Sequence, residues 1–259
     1  MELNKIYNED CFLTMQRMID EGVKVDSILT SPPYNMTKRK GGYADTGRYD
    51  VYVDWMDKEQ YLAWTVKLFN MFERILGENR SICYNFSYSI EHPELPYELV
   101  TEIVRNTPFA LIETIRWDKK CGLPFPANGR RLSRNWEFVW VFVRKSDIDT
   151  YENNRRVKSV SEKTGQKYYE AIFNSIEAKN NDEKCPLNQA TYSSELCLKL
   201  MDIYVRDGWM IYDPFIGTGT TAVAAIKRGT LDYIGSEISE RQCQWANDRI
   251  KREKESSLT

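Results

Sequence analysis

Residues 209–237 contain the pattern that most constrains the fold. Trp209 to Phe215 is a short apolar run that predicts a strand, and it enters a turn carrying Gly217 and Gly219. An alanine-rich helix follows, closed by a glycine at 229, and then a second apolar strand ends in Glu237. Strand, glycine turn, helix, strand and acid form the nucleoside-binding half of a doubly wound sheet.

This unit also indicates where a ligand binds. Gly217 and Gly219 let the backbone approach a ligand closely, and the helix start offers free N–H groups. Glu237 can accept hydrogen bonds from both hydroxyls of a ribose, and Asp213 can accept from an ammonium group. The spacing from Gly217 to Ala222 also fits the loose dinucleotide pattern, so a nicotinamide oxidoreductase stays open as an alternative. Against it, Asp213 would repel a pyrophosphate.

A second informative segment follows the predicted strand Val25–Thr30. Pro32 and Pro33 end that strand, because proline has no N–H to donate and fixes φ. The resulting stiff turn holds the Ser31 hydroxyl and the Pro32 carbonyl as acceptors, with the Tyr34 ring beside them. A planar group with an exocyclic amine, such as a nucleobase, suits this arrangement. The alternative is an ordinary proline-rich turn.

Together the two segments resemble the DNA amino-methyltransferases of the beta group, which methylate cytosine N4 or adenine N6. The resemblance implies S-adenosylmethionine as cofactor and no metal. It assigns catalysis to Ser31, Pro32, Pro33 and Tyr34. It assigns the cofactor to Asp10, Asp213, Pro214, Phe215, Gly217, Thr218, Gly219, Thr220, Thr221 and Glu237.

The resemblance further implies an α/β, doubly wound, mostly parallel Rossmann-like sheet within one methyltransferase domain, 1–259. Residues 145–187 are interpreted as a target-recognition insertion, and residues 36–56 as a mobile loop beside the catalytic turn. One segment departs from the family: 188–196 lacks a His-Pro pair and a later Phe-Pro, although Thr191 and Tyr192 fit.

The net charge is only −2, so the chain as a whole shows no signature of a polyanion partner, and any such site must be local. Basic clusters fall between the two motifs and predict a groove for double-stranded DNA. Its candidate residues are Lys38, Arg39, Lys40, Arg130, Arg131, Arg134, Arg155 and Arg156. The alternative is that such clusters are merely solvated surface.

Cysteine and histidine usage bears on metal sites and compartment. Six cysteines are scattered without a Cys-x-x-Cys pair, and there is one histidine, so no metal site or disulfide framework is expected. We expect a reducing, cytoplasmic location. No apolar run is long enough to cross a membrane.

The expected reaction is methyl transfer to the exocyclic amine of a base flipped out of the duplex. By resemblance, serine at position 31 favours cytosine N4 as the methylated atom, with adenine N6 as the alternative. Methylation of RNA or of protein glutamine, and a non-catalytic DNA-binding role, stay open. A homodimer and a cognate restriction endonuclease are left open as partners, and the recognition sequence is not encoded in a readable way.

Overall fold

A computed structural model describes residues 1–36, 49–51, 54–87, 92–123, 132, 134–188 and 190–256. Ten strands and six α-helices are assigned in this part of the chain. The strands are β1 (Lys5–Tyr7), β2 (Val25–Thr30), β3 (Leu76–Phe86), β4 (Phe109–Leu123), β5 (Arg134–Arg144), β6 (Val157–Val160), β7 (Lys167–Tyr169), β8 (Ser175–Ala178), β9 (Met210–Asp213) and β10 (Asp232–Ser236). The helices are α1 (Cys11–Asp20), α2 (Lys58–Ile75), α3 (Leu95–Asn106), α4 (Ser194–Tyr204), α5 (Thr220–Arg228) and α6 (Glu240–Ser256).

Eight strands form one sheet in the order β1-β10-β9-β2-β3-β5-β4-β8. All neighbouring pairs are parallel except the two that involve β5. From β9 the chain continues through α5 to β10 on one side, and from β2 it continues through α2 to β3 on the other. The order therefore reverses between β9 and β2, which is where open α/β sheets bind ligands. The predicted fold class is confirmed.

Helices cover both faces of this sheet. Residues Ile28, Ile82 and Trp140 pack on the side of α1, α2 and α3. Their neighbours along the strands, including Leu29 and Val141, pack on the side of α4, α5 and α6. Successive strand side chains point to opposite faces. The strands can therefore be apolar throughout, as the two-sided burial requires.

Helix α2 begins after a capping residue. Asp57 caps it by accepting hydrogen bonds from the N–H groups of Glu59 and Gln60. Asp10 lies in the turn that joins the short edge strand β1, which no sequence pattern predicts, to α1. Three residues of strand are too few to recognise by periodicity.

Residues 145–187 do not form a separate unit. They include a hairpin of β6 and β7, but β8 then pairs in parallel with β4 and becomes the last strand of the main sheet. The start of the segment lies at the amino-terminal end of the strands, because the Asn154 N–H donates to the Ile203 carbonyl, at the end of α4, at 2.6 Å. The end of 145–187 therefore belongs to the main sheet, and the target-recognition role of the segment stays a prediction.

None of the helices in the described ranges is long and apolar enough to cross a bilayer.

Candidate active site

The two segments singled out in the sequence meet at the carboxyl ends of neighbouring strands. β2 and β9 pair in parallel, with Ser27 opposite Ile211 and Ile28 opposite Tyr212. The turn after β2 and the turn after β9 are therefore side by side. The Thr30 hydroxyl joins them by donating to Asp213 Oδ1 at 2.7 Å.

Asp213 is almost fully buried, with 1% of its surface exposed. Besides Thr30, its oxygens accept from the Phe215 N–H at 3.0 Å and the Thr221 hydroxyl at 2.5 Å, and the Tyr192 hydroxyl lies 3.4 Å away. Burial raises the pKa of Asp213 to about 6, and these hydrogen bonds oppose that rise. The carboxylate thus holds the β9 turn and the start of α5 against β2.

A cavity of about 170 Å³ lies over these strand ends. The predicted residues that line it are Asp10, Ser31, Pro33, Pro214, Phe215, Gly217, Thr218, Thr220 and Glu237. Pro32, Tyr34, Asp213, Gly219 and Thr221 are not among its lining residues. The structure therefore brings both motifs to one cavity and assigns part of each motif to its supporting framework.

Glu237 supplies the half-buried carboxylate of the cavity. It follows β10, and its Oε1 accepts the Ser239 N–H at 2.8 Å. Burial raises the pKa of Glu237 to about 7, while backbone donors from Ser239 and Gly217 oppose the rise. Two backbone donors leave the carboxylate with capacity for further donors from a ligand.

The two glycines have different neighbours. Both have a left-handed backbone conformation, with φ of 50° at Gly217 and 82° at Gly219. Gly217 lines the cavity, whereas a Cβ on Gly219 would lie 3.0 Å from the Cβ of Ala246 on α6. Gly219 therefore permits α5 to pack on α6, a role other than the close approach of a ligand that was predicted for it.

The hydroxyls of Ser31 and Tyr34 belong to a polar network behind the cavity. They lie 2.8 Å apart, and Asn85 Oδ1 lies 3.1 Å from Ser31 Oγ and 2.7 Å from the Tyr34 hydroxyl. Asn85 Nδ2 donates to the Phe138 carbonyl at 2.9 Å and to Glu137 Oε2 at 3.3 Å. Burial, and then the charge of Glu137, raise the pKa of Tyr34 well above its usual value. Tyr34 therefore keeps its proton at neutral pH.

Neighbouring residues fix the conformation of the proline turn. The Tyr61 hydroxyl donates to the Pro33 carbonyl at 2.6 Å. Asn35 has φ of 54°, and its amide exchanges hydrogen bonds with the backbone of Met56 at 2.9 and 2.6 Å. The left-handed backbone is one that asparagine tolerates better than most residues. The turn is thus tied to the start of α2.

Part of the predicted mobile loop is described. Residues 37–48 and 52–53 lie outside the described residues, whereas Tyr49 forms a bridge with Asn188. Asp50 accepts from the Ser239 hydroxyl at 2.6 Å and from Gln242 Nε2 at 2.9 Å. The 49–51 piece is therefore docked on the first turn of α6, and Tyr49 lines the cavity.

Asp10 has a structural task as well as a place at the cavity. It caps α1, with its Oδ1 accepting the Phe12 N–H at 2.8 Å. The carboxylate is otherwise exposed toward the cavity, which it lines.

The three predicted DNA-binding residues that the structure describes do not lie together. Lys38, Arg39, Lys40, Arg130 and Arg131 fall outside the described residues. Arg134 begins β5, opposite Leu123, at the same end of the sheet as the cavity. Arg155 lies with Glu113 and Tyr204 around a cavity at the other end. Arg156 pairs with Glu170 at 3.8 Å. Glu113 is six strand residues from Lys119, about 20 Å along β4 at roughly 3.3 Å per residue.

Several site residues were not predicted from the sequence. Trp64, Asn188 and Gln242 line the cavity, and Asn85 and Glu137 hold the hydroxyls of the proline turn. Two of them carried a usable signal. Asn85 is a polar residue at the carboxyl end of an apolar strand, and Glu137 is an acid inside the apolar run 136–142.

Comparison with known proteins places the chain in a family. Residues 25–248 match the N6_N4_Mtase family model, described as DNA methylase. The type II methyltransferase M.BamHI of Bacillus amyloliquefaciens is 27% identical over 267 residues, covering 96% of this chain. The alignment covers 57% of M.BamHI, so the chain spans little more than half the length of that relative.

Two solved structures show the same fold. The cytosine-N4-specific PvuII DNA methyltransferase has a TM-score of 0.67 at 16% identity, covering 98% of this chain and 92% of that one. The M1.HpyAVI–SAM complex has a TM-score of 0.61 at 20% identity, covering 95% and 97%. The family model spans both motifs and most of the sheet. The chain belongs to the N6_N4_Mtase family of DNA methylases.

Proposed function

We propose that this chain transfers a methyl group from S-adenosylmethionine to the exocyclic amine of a base in double-stranded DNA. Family membership supports the class of reaction. The observation that carries the proposal is the single cavity lined by Ser31 and Pro33 from one motif and by Gly217 and Glu237 from the other.

The residues of the cavity fit the proposed cofactor. Glu237 has acceptor capacity for ribose hydroxyls, and Asp10 offers a second carboxylate oxygen for the adenine amine. Trp64 and Phe215, whose ring centroids are 5.7 Å apart, give the cavity an aromatic wall for a flat heterocycle. M1.HpyAVI, which shares the fold, has been crystallised as a complex with SAM.

The remaining members of the proposed cofactor set shape this cavity. Pro214, Thr218 and Thr220 line it, while Gly219 and Thr221 support the turn. Asp213 acts on the cofactor indirectly, by holding the glycine turn, because four protein donors already surround its two carboxylate oxygens. Its contribution to cofactor affinity is then preorganisation of the glycine turn rather than capture of an ammonium group.

Catalysis by the protein consists of positioning the base. The Ser31 hydroxyl and the Pro32 carbonyl accept from the amine and draw it toward tetrahedral geometry, and the Tyr34 ring stacks on the extruded base. When bound, S-adenosylmethionine would supply an electrophilic methyl group to the amine lone pair, with the C–S electron pair staying on sulfur and one amine proton released to solvent.

We propose cytosine N4 as the target, with adenine N6 as the alternative. Ser31 in the first motif position supports cytosine, as does the shared fold with a cytosine-N4-specific enzyme. Both bases present the same kind of conjugated amine, so the two acceptors alone do not separate them.

Double-stranded DNA is the proposed partner, approached at the carboxyl end of the sheet where Arg134 lies. One domain, 1–259, carries the function, and residues 145–187 are the proposed target-recognition insertion within it. A cytoplasmic site of action fits the free, buried thiols of Cys11, Cys83, Cys185, Cys197 and Cys243. A homodimer and a cognate endonuclease are compatible partners.

Two measurements test the proposal. Purified protein is incubated with tritium-labelled S-adenosylmethionine and duplex DNA, tRNA or protein, and we expect label in DNA only. Long-read sequencing of DNA from cells that express the chain then identifies the modified base and its sequence context. Label in tRNA or protein alone, or N6-methyladenine in place of N4-methylcytosine, would contradict the substrate or the base.

A further inference from the structure

Ser31 differs chemically from the acceptor beside it. The Pro32 carbonyl carries no proton and accepts hydrogen bonds in any state, whereas a serine hydroxyl is both donor and acceptor. A Ser31 proton that pointed into the cavity would oppose the N–H groups of the amine. In the proposed function, on which this inference rests, Ser31 accepts from the amine. Ser31 therefore requires a partner that takes its proton on the side away from the base.

Asn85 occupies that side. It is the second-last residue of β3 and only 2% exposed. Its Oδ1 lies 3.1 Å from Ser31 Oγ and 2.7 Å from the Tyr34 hydroxyl. A carbonyl oxygen has two lone pairs, so Asn85 can accept both protons at once.

The orientation of the Asn85 amide follows from its other neighbours. Nδ2 lies 2.9 Å from the Phe138 carbonyl and 3.3 Å from Glu137 Oε2, and both atoms are acceptors. A flipped amide would place its oxygen against these two acceptors and its N–H groups toward the two hydroxyls. Lys119 Nζ holds Glu137 in place through the other carboxylate oxygen at 2.5 Å.

We propose that Asn85 is a positioning residue that draws the Ser31 proton inward, so that Ser31 presents a lone pair to the amine of the flipped base. Lys119 and Glu137 act one step further back by fixing the amide. An asparagine at position 31 would have an amide oxygen without a proton and would not need Asn85. The two positions are therefore energetically coupled.

A double-mutant cycle tests this coupling. The four proteins are wild type, Asn85→Leu, Ser31→Asn and the double variant, compared by single-turnover methyl transfer on the duplex identified by sequencing. We expect Asn85→Leu to lower the rate at least tenfold with Ser31 present and less than threefold in the Ser31→Asn background. Equal losses in both backgrounds, or no loss with Ser31, would overturn the proposal.

An equilibrium measurement supports the cycle without depending on turnover. With S-adenosylhomocysteine present, each protein is titrated with the duplex and with the same duplex lacking the target base. We expect Asn85→Leu to reduce the preference for the base-containing duplex at least fivefold with Ser31 and less than twofold in the Ser31→Asn background. This comparison decides the question if Ser31→Asn proves inactive, and equal reductions overturn the proposal.

Thermal melting of all four proteins provides the folding control, with Asn85→Ala replacing Asn85→Leu if the larger side chain prevents folding. The affinity for S-adenosylhomocysteine should stay within twofold of wild type, because Asn85 does not line the cavity. Absence of methyl transfer by the wild-type protein would refute the proposed function itself, an outcome distinct from a failed coupling between positions 31 and 85.

Discussion

Thr30 and Asp213 are 183 residues apart in sequence, and the hydroxyl of one donates to the carboxylate of the other at 2.7 Å. Both side chains are about 1% exposed. This hydrogen bond joins the strand that precedes the proline turn to the strand that precedes the glycine turn. Because each turn begins directly after its strand, the bond sets the relative position of the two halves of the proposed active site.

Replacing Thr30 with valine keeps the shape of the side chain and removes this donor. We expect the free energy of unfolding to fall by about 1.5–3 kcal/mol, the range for hydrogen bonds to charged groups. The loss should grow as the pH rises above about 6, because the pKa of Asp213 in the fold is already raised to about 6 and would rise further. Urea denaturation at pH 5 and pH 8 measures both effects.

Thr65→Val is the matched control, since Thr65 is equally buried but donates only to the Tyr61 carbonyl within α2. Its expected cost is about 0.5–1.5 kcal/mol at both pH values. Equal effects of the two substitutions at pH 8 would contradict the role assigned to the Thr30–Asp213 bond.

Tyr34→Ala should slow catalysis and spare cofactor binding. Stacking on a base contributes about 1–3 kcal/mol, so we expect methyl transfer to fall about 5- to 150-fold. Tyr34 does not line the cavity that holds Glu237, so the dissociation constant of S-adenosylmethionine should change less than twofold. Tyr34→Phe keeps the ring and should lose far less activity; unchanged transfer in the alanine variant would refute the assignment.

Cofactor affinity should depend on pH through Glu237. Its pKa is raised to about 7, so below pH 7 the fold favours the neutral acid, which is a weaker acceptor for ribose hydroxyls. We expect affinity to rise about tenfold between pH 6 and pH 8 and then level off. Glu237→Gln should bind more weakly at high pH, with a flat profile over this range. Isothermal titration calorimetry measures this, and an unchanged slope in the variant would exclude Glu237 as the titrating group.

Gly219→Ala should destabilise the fold without filling the cavity. It combines a left-handed backbone, φ 82°, with a Cβ 3.0 Å from the Cβ of Ala246. Gly165→Ala is the control: φ is 70° and no atom lies within 4 Å of the added Cβ. We expect Gly219→Ala to cost about 1–3 kcal/mol more than Gly165→Ala in chemical denaturation, from overpacking. Equal costs would show that α5 and α6 adjust freely.

The basic residues at the two ends of the sheet should differ in their contribution to DNA binding. Each phosphate contact changes the slope of log K against log salt by about 0.9. We expect Arg134→Ala to reduce that slope by about one. The Arg155→Ala, Arg156→Ala double variant should leave it unchanged, because Arg155 lies beside Glu113, about 20 Å along β4 from Lys119, and Arg156 pairs with Glu170. Fluorescence anisotropy at several salt concentrations measures the slopes, and the reverse pattern would place the DNA at the opposite end.

The sequence by itself determined the parts of this protein that depend on local pattern. The apolar runs before Ser31 and Gly217, the helix closed at Gly229 and the acid at Glu237 each follow from residue chemistry over a few positions. They were sufficient to predict the sheet and the two motifs, since strands, turns and helix ends are governed by neighbours in sequence, and the family followed from the resemblance of those motifs.

Only the tertiary structure decided which side chains work together. That Asn85 receives the Ser31 and Tyr34 hydroxyls, that Gly219 faces Ala246 and that Arg155 lies away from the cavity depend on strand order and on pairings between distant segments. The edge strand β1 and the return of β8 to the sheet escaped prediction for the same reason. Segments of three or four residues form strands because a neighbouring strand supplies their hydrogen bonds, and no local pattern encodes that neighbour.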